Sequence, residues 1–240
     1  MFDMHSHILP SIDDGAEDLN EALKILKLMQ LQGITDVIAT PHFYPALDNL
    51  DEFFEDVAEA MKKLKEFVVK RGLPNIYLGC ELLYFTGIGQ SDSLKQFCLN
   101  NSNYLLLELT DDCINKELFA DITAIRENLG LEPIIAHVER YCLARNYGKL
   151  IRFLAANNIP IQINADSVLI PRLGRVVKKL LDSGLLCVVA SDAHSVGIRP
   201  PRVKGALKHI AKTYGVEYRE RLIKNSEYLF KEIVGGVSGD

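Results

Sequence analysis

Asp3-Met4-His5-Ser6-His7 places two histidines at i and i+2, the spacing at which an extended strand turns both side chains to one face, where they can share a metal ion. Asp13-Asp14-Gly15 follows at once. Further along, apolar runs repeatedly finish in a residue able to bind a metal: Thr40-Pro41-His42, Gly79-Cys80-Glu81, Leu107-Glu108, Ala136-His137-Val138-Glu139-Arg140-Tyr141 and Ser191-Asp192-Ala193-His194. A lone His-x-His pair is equally well a surface feature. Ligand types at six of seven candidate strand ends are not explained that way. A single carboxylate after an apolar run, as at Glu81 and Glu108, is costly to bury unless it is paired or metal-bound. Imidazole and carboxylate without thiolate suit Zn, Mn, Fe or Co. The sixth histidine, His209, lies between Lys208 and Lys212 in a helical pattern and is expected at the surface.

The same residues exclude two routes to phosphate-ester hydrolysis. A cysteine nucleophile of the tyrosine-phosphatase kind needs an arginine six residues on, and none of Cys80, Cys98, Cys113, Cys142 and Cys187 has one. An aspartyl nucleophile usually comes as Asp-x-Asp after a strand, and no two aspartates here are separated by one residue. Clustered divalent ions offer another route: they bind the repelling phosphate oxygens and lower the pKa of bound water to about 7.

Side chains scattered from residue 5 to residue 194 can meet only if the fold gathers strand ends. β-rich runs alternate with amphipathic helical stretches, the pattern of parallel strands joined by crossover helices. The strands are expected at Phe2–His7, Asp36–His42, Asn75–Glu81, Tyr104–Leu109, Pro133–Val138, Ile159–Asn164 and Leu186–Asp192, several of them apolar throughout, as strands buried on both faces are. Helices are expected over Glu17–Gln32 before Gly33, Leu50–Arg71 before Gly72, Glu117–Asn128 before Gly130, Gly148–Asn157, Leu173–Ser183, Val203–Tyr214 and Tyr218–Ile233. Seven such units suggest an incomplete (β/α)7 TIM-like barrel, one strand short of eight. A doubly wound open sheet is the alternative, because alternation alone does not decide closure. In a barrel the loops after the strands' C-terminal ends build the active site, so the ligand-type residues would converge there.

Length and composition agree with one α/β domain: 240 residues, 48% hydrophobic, with no linker and no repeat. It is expected to span residues 1–234, with 235–240 as a frayed tail. A formal net charge of −5 offers no global field for nucleic acid or an anionic membrane. No run is apolar enough for a signal peptide or a membrane span, so the protein reads as cytoplasmic. Its five cysteines, an odd number without a C-x-x-C pair, read as reduced residues of the core.

In order and spacing, the motifs around His5 and His7, His42, His137-Val138-Glu139-Arg140-Tyr141 and Ser191-Asp192-Ala193-His194 resemble the polymerase-and-histidinol-phosphatase (PHP) superfamily across nearly the whole chain. Ile8-Leu9-Pro10 followed by Asp13-Asp14-Gly15, together with Arg140 and Arg199, is similar to its bacterial capsule and exopolysaccharide tyrosine-protein phosphatases. Val138 departs from the family's usual proline. The resemblance implies three divalent ions, Mn foremost. His5, His7, Glu81 and Asp192 would hold the first; Glu81, Glu108 and His137 the second; Asp14, His42 and His194 the third. Asp14 could instead cap a helix.

Arg140 and Arg199 are then expected on the equatorial phosphate oxygens, with Glu139 in a supporting place. The implied substrate is phosphotyrosine on a protein, the tail of a bacterial tyrosine kinase, with Phe43, Tyr44, Tyr141 and the Ile198–Arg202 loop as candidate walls. Small-molecule phosphatase action, as on histidinol phosphate, stands second, ahead of a phosphodiesterase or nuclease. A non-catalytic metal-binding regulatory domain is the alternative of another class, and loss of a ligand, its expected mark, is not seen.

Overall fold

The computed structural model describes residues 1–235, so the expected tail beyond Gly235 lies outside the described residues. In chain order the elements are β1 (Phe2–Asp3), α1 (Leu19–Leu31), β2 (Asp36–Ala39), β3 (His42–Phe43), α2 (Leu50–Arg71), β4 (Asn75–Leu78) and β5 (Glu81–Leu83). They continue with β6 (Tyr104–Glu108), α3 (Lys116–Leu129), β7 (Glu132–Ile135), α4 (Tyr147–Ala156), β8 (Ile161–Asn164) and α5 (Ala165–Val168). The last are α6 (Gly174–Asp182), β9 (Cys187–Ala190), α7 (Val203–Thr213) and α8 (Val216–Val234). The helix ends follow capping chemistry. Asp18 caps α1 by accepting the Glu21 N–H, so the helix starts at Leu19, two residues later than the expected Glu17, and Gly72 ends α2 in the left-handed region at φ 58°.

Every strand pair is parallel, in the orders β1-β2-β4 and β3-β5-β6-β7-β8-β9. The two sheets are one ladder interrupted twice, where the sequence suggested continuous strands. Pro41 has no N–H to give, which separates β2 from β3. Gly79-Cys80 separates β4 from β5; a Cβ at Gly79 would stand 2.5 Å from Leu99 Cδ2, so a side chain there would have to displace buried Leu99. Across the breaks Gly79 N–H donates to Ala39 O (2.8 Å) and Glu81 N–H to Pro41 O (3.0 Å). The expected first strand is likewise short, yet beyond β1 Ser6 pairs in parallel with Ala193, and His7 N–H donates to Ala193 O at 2.8 Å. The run after β9 is thereby joined to the run after β1.

Alternation along the strands separates two apolar layers. Leu105, Leu107, Ile135, Ile161, Ile163, Cys187 and Val189 pack in the large cluster with the helices. Leu106, Ile134, Ala136, Val188 and Ala190 form a second, inner cluster with Met4, Ile38 and Leu99, to which α8 contributes Leu229 and Ile233. Following the inner parity toward the strands' C-terminal ends, Leu106 leads to Glu108 and Ala190 to Asp192.

The segment after β5 is held by a carboxylate that the sequence did not mark. Buried Asp121 on α3 accepts the Tyr84 hydroxyl and the Gly87 N–H, both at 2.9 Å. Asp121→Ala leaves those donors without a partner, and urea unfolding should show a loss of about 2–3 kcal/mol.

Candidate metal centre

The expected ligands meet at the strands' C-terminal ends around Glu81. Its fully buried carboxylate lies 2.9 Å from His137 Nε2, 3.1 Å from His5 Nε2, 3.2 Å from His7 Nε2 and 3.2 Å from His42 Nδ1. His5 and His7, two residues apart, bring their Nε2 atoms to 3.1 Å of each other. Asp192 Oδ1 stands 3.4 Å from each of these nitrogens. Glu108 Oε1 is 3.3 Å from His137 Nε2, and Asp14 Oδ1 is 3.2 Å from His194 Nε2 and 3.7 Å from His42 Nε2. Asp14 is the one mainly exposed member, at 67%. Three groups of these side chains are compact enough to hold an ion: His5, His7, Glu81 and Asp192; His7, Asp14, His42 and His194; His42, Glu81 and Glu108.

The donor set fits divalent cations. Asp192 Oδ1, His42 Nδ1 and His194 Nε2 are buried and make no hydrogen bond, which in a protein interior calls for a ligand. Asp192 and His137 carry positive φ angles of 51° and 29°, sparsely populated backbone of the sort that surrounding structure sustains at functional sites. Burial holds His42 and His194 toward the neutral form, His194 down to about 4 with the help of the neighbouring His7 charge. His7 and His137 go the other way. Burial opposes their charge, but Asp13, Asp192 and Glu81 raise His7 well above the usual imidazole range, and Glu108 and Glu81 take His137 up to about 10.

Residues 1–231 match the sequence profile of the capsular polysaccharide synthesis family CpsB/CapC. The chain belongs to that family. Among the relatives, the tyrosine-protein phosphatase YwqE of Bacillus subtilis is 31% identical over 96% of this chain and 92% of its own length. The tyrosine-protein phosphatase CpsB of Streptococcus pneumoniae is 30% identical over 92% of this chain and 94% of its own. A crystal structure from the pair YwqE and CpsB, described as metal-dependent tyrosine phosphatases, superposes with a TM-score of 0.84 at 28% identity, covering 97% of this chain and 95% of that one. A β-aspartyl dipeptidase of Fervidobacterium islandicum, at 16% identity and a TM-score of 0.56 over 95% of this chain and 72% of its own, shares the fold alone.

Several side chains have places that sequence reasoning did not give them. Asp13, read only as part of a motif, is the backing of the centre: its Oδ2 lies 2.6 Å from His7 Nδ1 and accepts the His42 N–H at 3.0 Å. Gln162 and Asn164, on the one expected strand without a ligand at its end, reach His5, His137 and Asp192. Their mark in the sequence is polar residues at i and i+2 inside an apolar strand. Arg199, expected on phosphate, pairs with Asp192 Oδ2 at 2.5 Å. Tyr141 is no wall; it is buried, accepts the Leu109 N–H at 2.9 Å and meets His137 Nδ1 at 3.1 Å. Phe43 is no wall either, being packed between Phe53 and Phe97, whereas Tyr44 stacks on His42 with ring centroids 5.0 Å apart. Glu139 is buried and accepts the Asn164 N–H at 3.3 Å; its carboxylate is not paired with Arg140. Of the cysteines expected in the core, Cys80, Cys98 and Cys187 are buried, while Cys113 and Cys142 are partly exposed.

Ligation requires neutral imidazole. With His7 and His137 raised above neutrality in the metal-free state, binding of Zn2+ or Mn2+ at pH 7 should release protons, and affinity should rise with pH. Calorimetry in buffers of different ionisation enthalpy measures the release; a buffer-independent heat would contradict it.

Proposed function

We propose that this chain is a metal-dependent tyrosine-protein phosphatase that hydrolyses phosphotyrosine on a protein, the tail of a bacterial tyrosine kinase of polysaccharide synthesis. The observation that carries the reading is the convergence of five buried or nearly buried histidines with Glu81, Glu108, Asp192 and Asp14 on one volume, in a family whose named relatives are tyrosine phosphatases. The pairing of the runs after β9 and β1 supports reading the parallel strands as an incomplete (β/α)7 barrel, one domain over residues 1–234. Among the described residues no helix is long and apolar enough to cross a membrane. We place the enzyme in the cytoplasm, where its unpaired cysteines stay reduced.

Three divalent ions, Mn ahead of Fe, Co or Zn, complete the proposal. The first set, His5, His7, Glu81 and Asp192, coincides with one compact group. The third, Asp14, His42 and His194, falls within another that also holds His7. For the second, His137 is supported by its approach to Glu81 and Glu108, although the compact group there contains His42 in its stead. Such ions, when bound, neutralise phosphate oxygens and acidify water to a pKa of about 7.

The chain's own part is to hold the phosphoryl group. Arg140, exposed on the turn after His137, has no ion pair through its guanidinium among the described residues and is available to equatorial oxygens. Arg199 spends one N–H on Asp192 and keeps its other donors, with 35% of its side chain exposed at the mouth. A tyrosine leaving group, of pKa about 10, departs with little help from an acid.

Comparing kcat/KM for phosphotyrosine peptides, phosphoserine peptides and histidinol phosphate should rank phosphotyrosine clearly first. A tenfold preference for histidinol phosphate would overturn the substrate. Arg140→Ala should lower the phosphotyrosine value by about 10²-fold at unchanged metal content, as loss of one transition-state donor does. Cys142→Ser should stay active, because no thiolate attacks phosphorus.

A further inference from the structure

We propose that Gln162 and Asn164 are positioning residues, one amide relay that sets the tautomer of His5, the backbone of His137 and the rotamer of Asp192, ligands of two of the proposed metal subsites. The inference rests on the metal reading above. Both side chains are buried and occupy the inner parity of β8, where other strands of the sheet carry Leu106, Ile134 and Val188. A polar pair there is costly unless it is fully hydrogen-bonded.

The sense of each bond follows from one fixed donor. The His137 backbone N–H can only donate, so the Gln162 atom 2.6 Å away is Oε1. Gln162 Nε2 therefore donates to Asn164 Oδ1 (2.7 Å), and Asn164 Nδ2 in turn donates to Asp192 Oδ2 (2.6 Å). Turning either amide over would set donor against donor or oxygen against oxygen.

Gln162 Oε1 also lies 3.2 Å from His5 Nδ1. Facing an acceptor, that nitrogen carries the proton, and the bare Nε2 lone pair is turned toward Glu81, His7 and Asp192. At the far end Asn164 and Arg199 both occupy Asp192 Oδ2, leaving Oδ1 without a hydrogen bond and aimed into the cluster. Gln162 thus also steadies the left-handed backbone of His137, so His5, His137 and Asp192 are held by a single chain of amides.

The test uses the Zn2+-loaded protein with a competing chelator as the affinity readout. Gln162→Met and Asn164→Leu should each weaken Zn2+ retention by about 10–100-fold, the usual effect of removing a partner behind a ligand. The double variant should be little worse than the weaker single variant, because the two act as one unit. In 15N-histidine spectra the His5 Nδ1 proton should exchange faster and shift in Gln162→Met. Gln162→Glu, which keeps the acceptor and the size, should restore that resonance while leaving retention impaired, since it cannot donate to Asn164. Wild-type retention in Gln162→Met, strictly additive losses, or an unmoved His5 proton would overturn the proposal. Retention is read without any phosphate ester, so it stands or falls separately from the phosphatase reading.

Discussion

A carboxylate buried among four imidazoles governs this molecule. Glu81 is closed off from solvent and touches His5, His7, His42 and His137, each within 3.2 Å or less. In an interior of low dielectric such crowding is tolerable only when charge is balanced and every lone pair has an assigned direction. Opposed burial and Coulomb effects meet here: His7 and His137 are drawn toward the charged form, His42 and His194 toward the neutral one. Divalent cations bound among these side chains would replace that compromise with a stronger and more directional one.

The rest of the fold supplies directions. Parallel strands end together at one side, and their inner parity passes from apolar residues, such as Leu106 and Ala190, to ligands, such as Glu108 and Asp192, within two residues. Where a regular strand would aim a ligand wrongly, the chain departs from regularity. Pro41 breaks the ladder before His42, Gly79-Cys80 breaks it before Glu81, and His137 and Asp192 take left-handed backbone. Behind the ligands stand Asp13 at His7, Tyr141 at His137, and the pair Asn164 and Arg199 at Asp192. Such partners fix which nitrogen or oxygen faces the metal.

The two arginines divide the work differently from one another. Arg140 sits exposed just past His137 and, among the described residues, has no ion pair through its guanidinium, so its charge is available to an incoming anion. Arg199 is anchored to the outer oxygen of Asp192 and its carbonyl accepts the His194 N–H at 3.0 Å, which couples the loop after β9 to two ligands. In the proposed reading, substrate contact and support of Asp192 would be joined in Arg199, whereas Arg140 would serve the substrate alone.

The sequence by itself determined the alternation of strands and helices, the caps at Gly72 and Gly130, and the set of candidate ligands that the fold gathers, because strand-end histidines and carboxylates are local features that need no partner to be visible. It also excluded a cysteine nucleophile, which depends on spacing alone. Only the tertiary structure decided the supporting roles. Asp13 was only part of a motif until it met His7, and nothing in the sequence marked Asp121 until it met Tyr84. Tyr141 and Phe43 read as pocket walls until packing turned them inward, and Gln162 and Asn164 acquire a purpose only beside His5 and Asp192, residues 157 and 28 positions away. The physical reason is that a ligand is chosen by its own chemistry, whereas its support is chosen by whatever the chain crossing behind it happens to present.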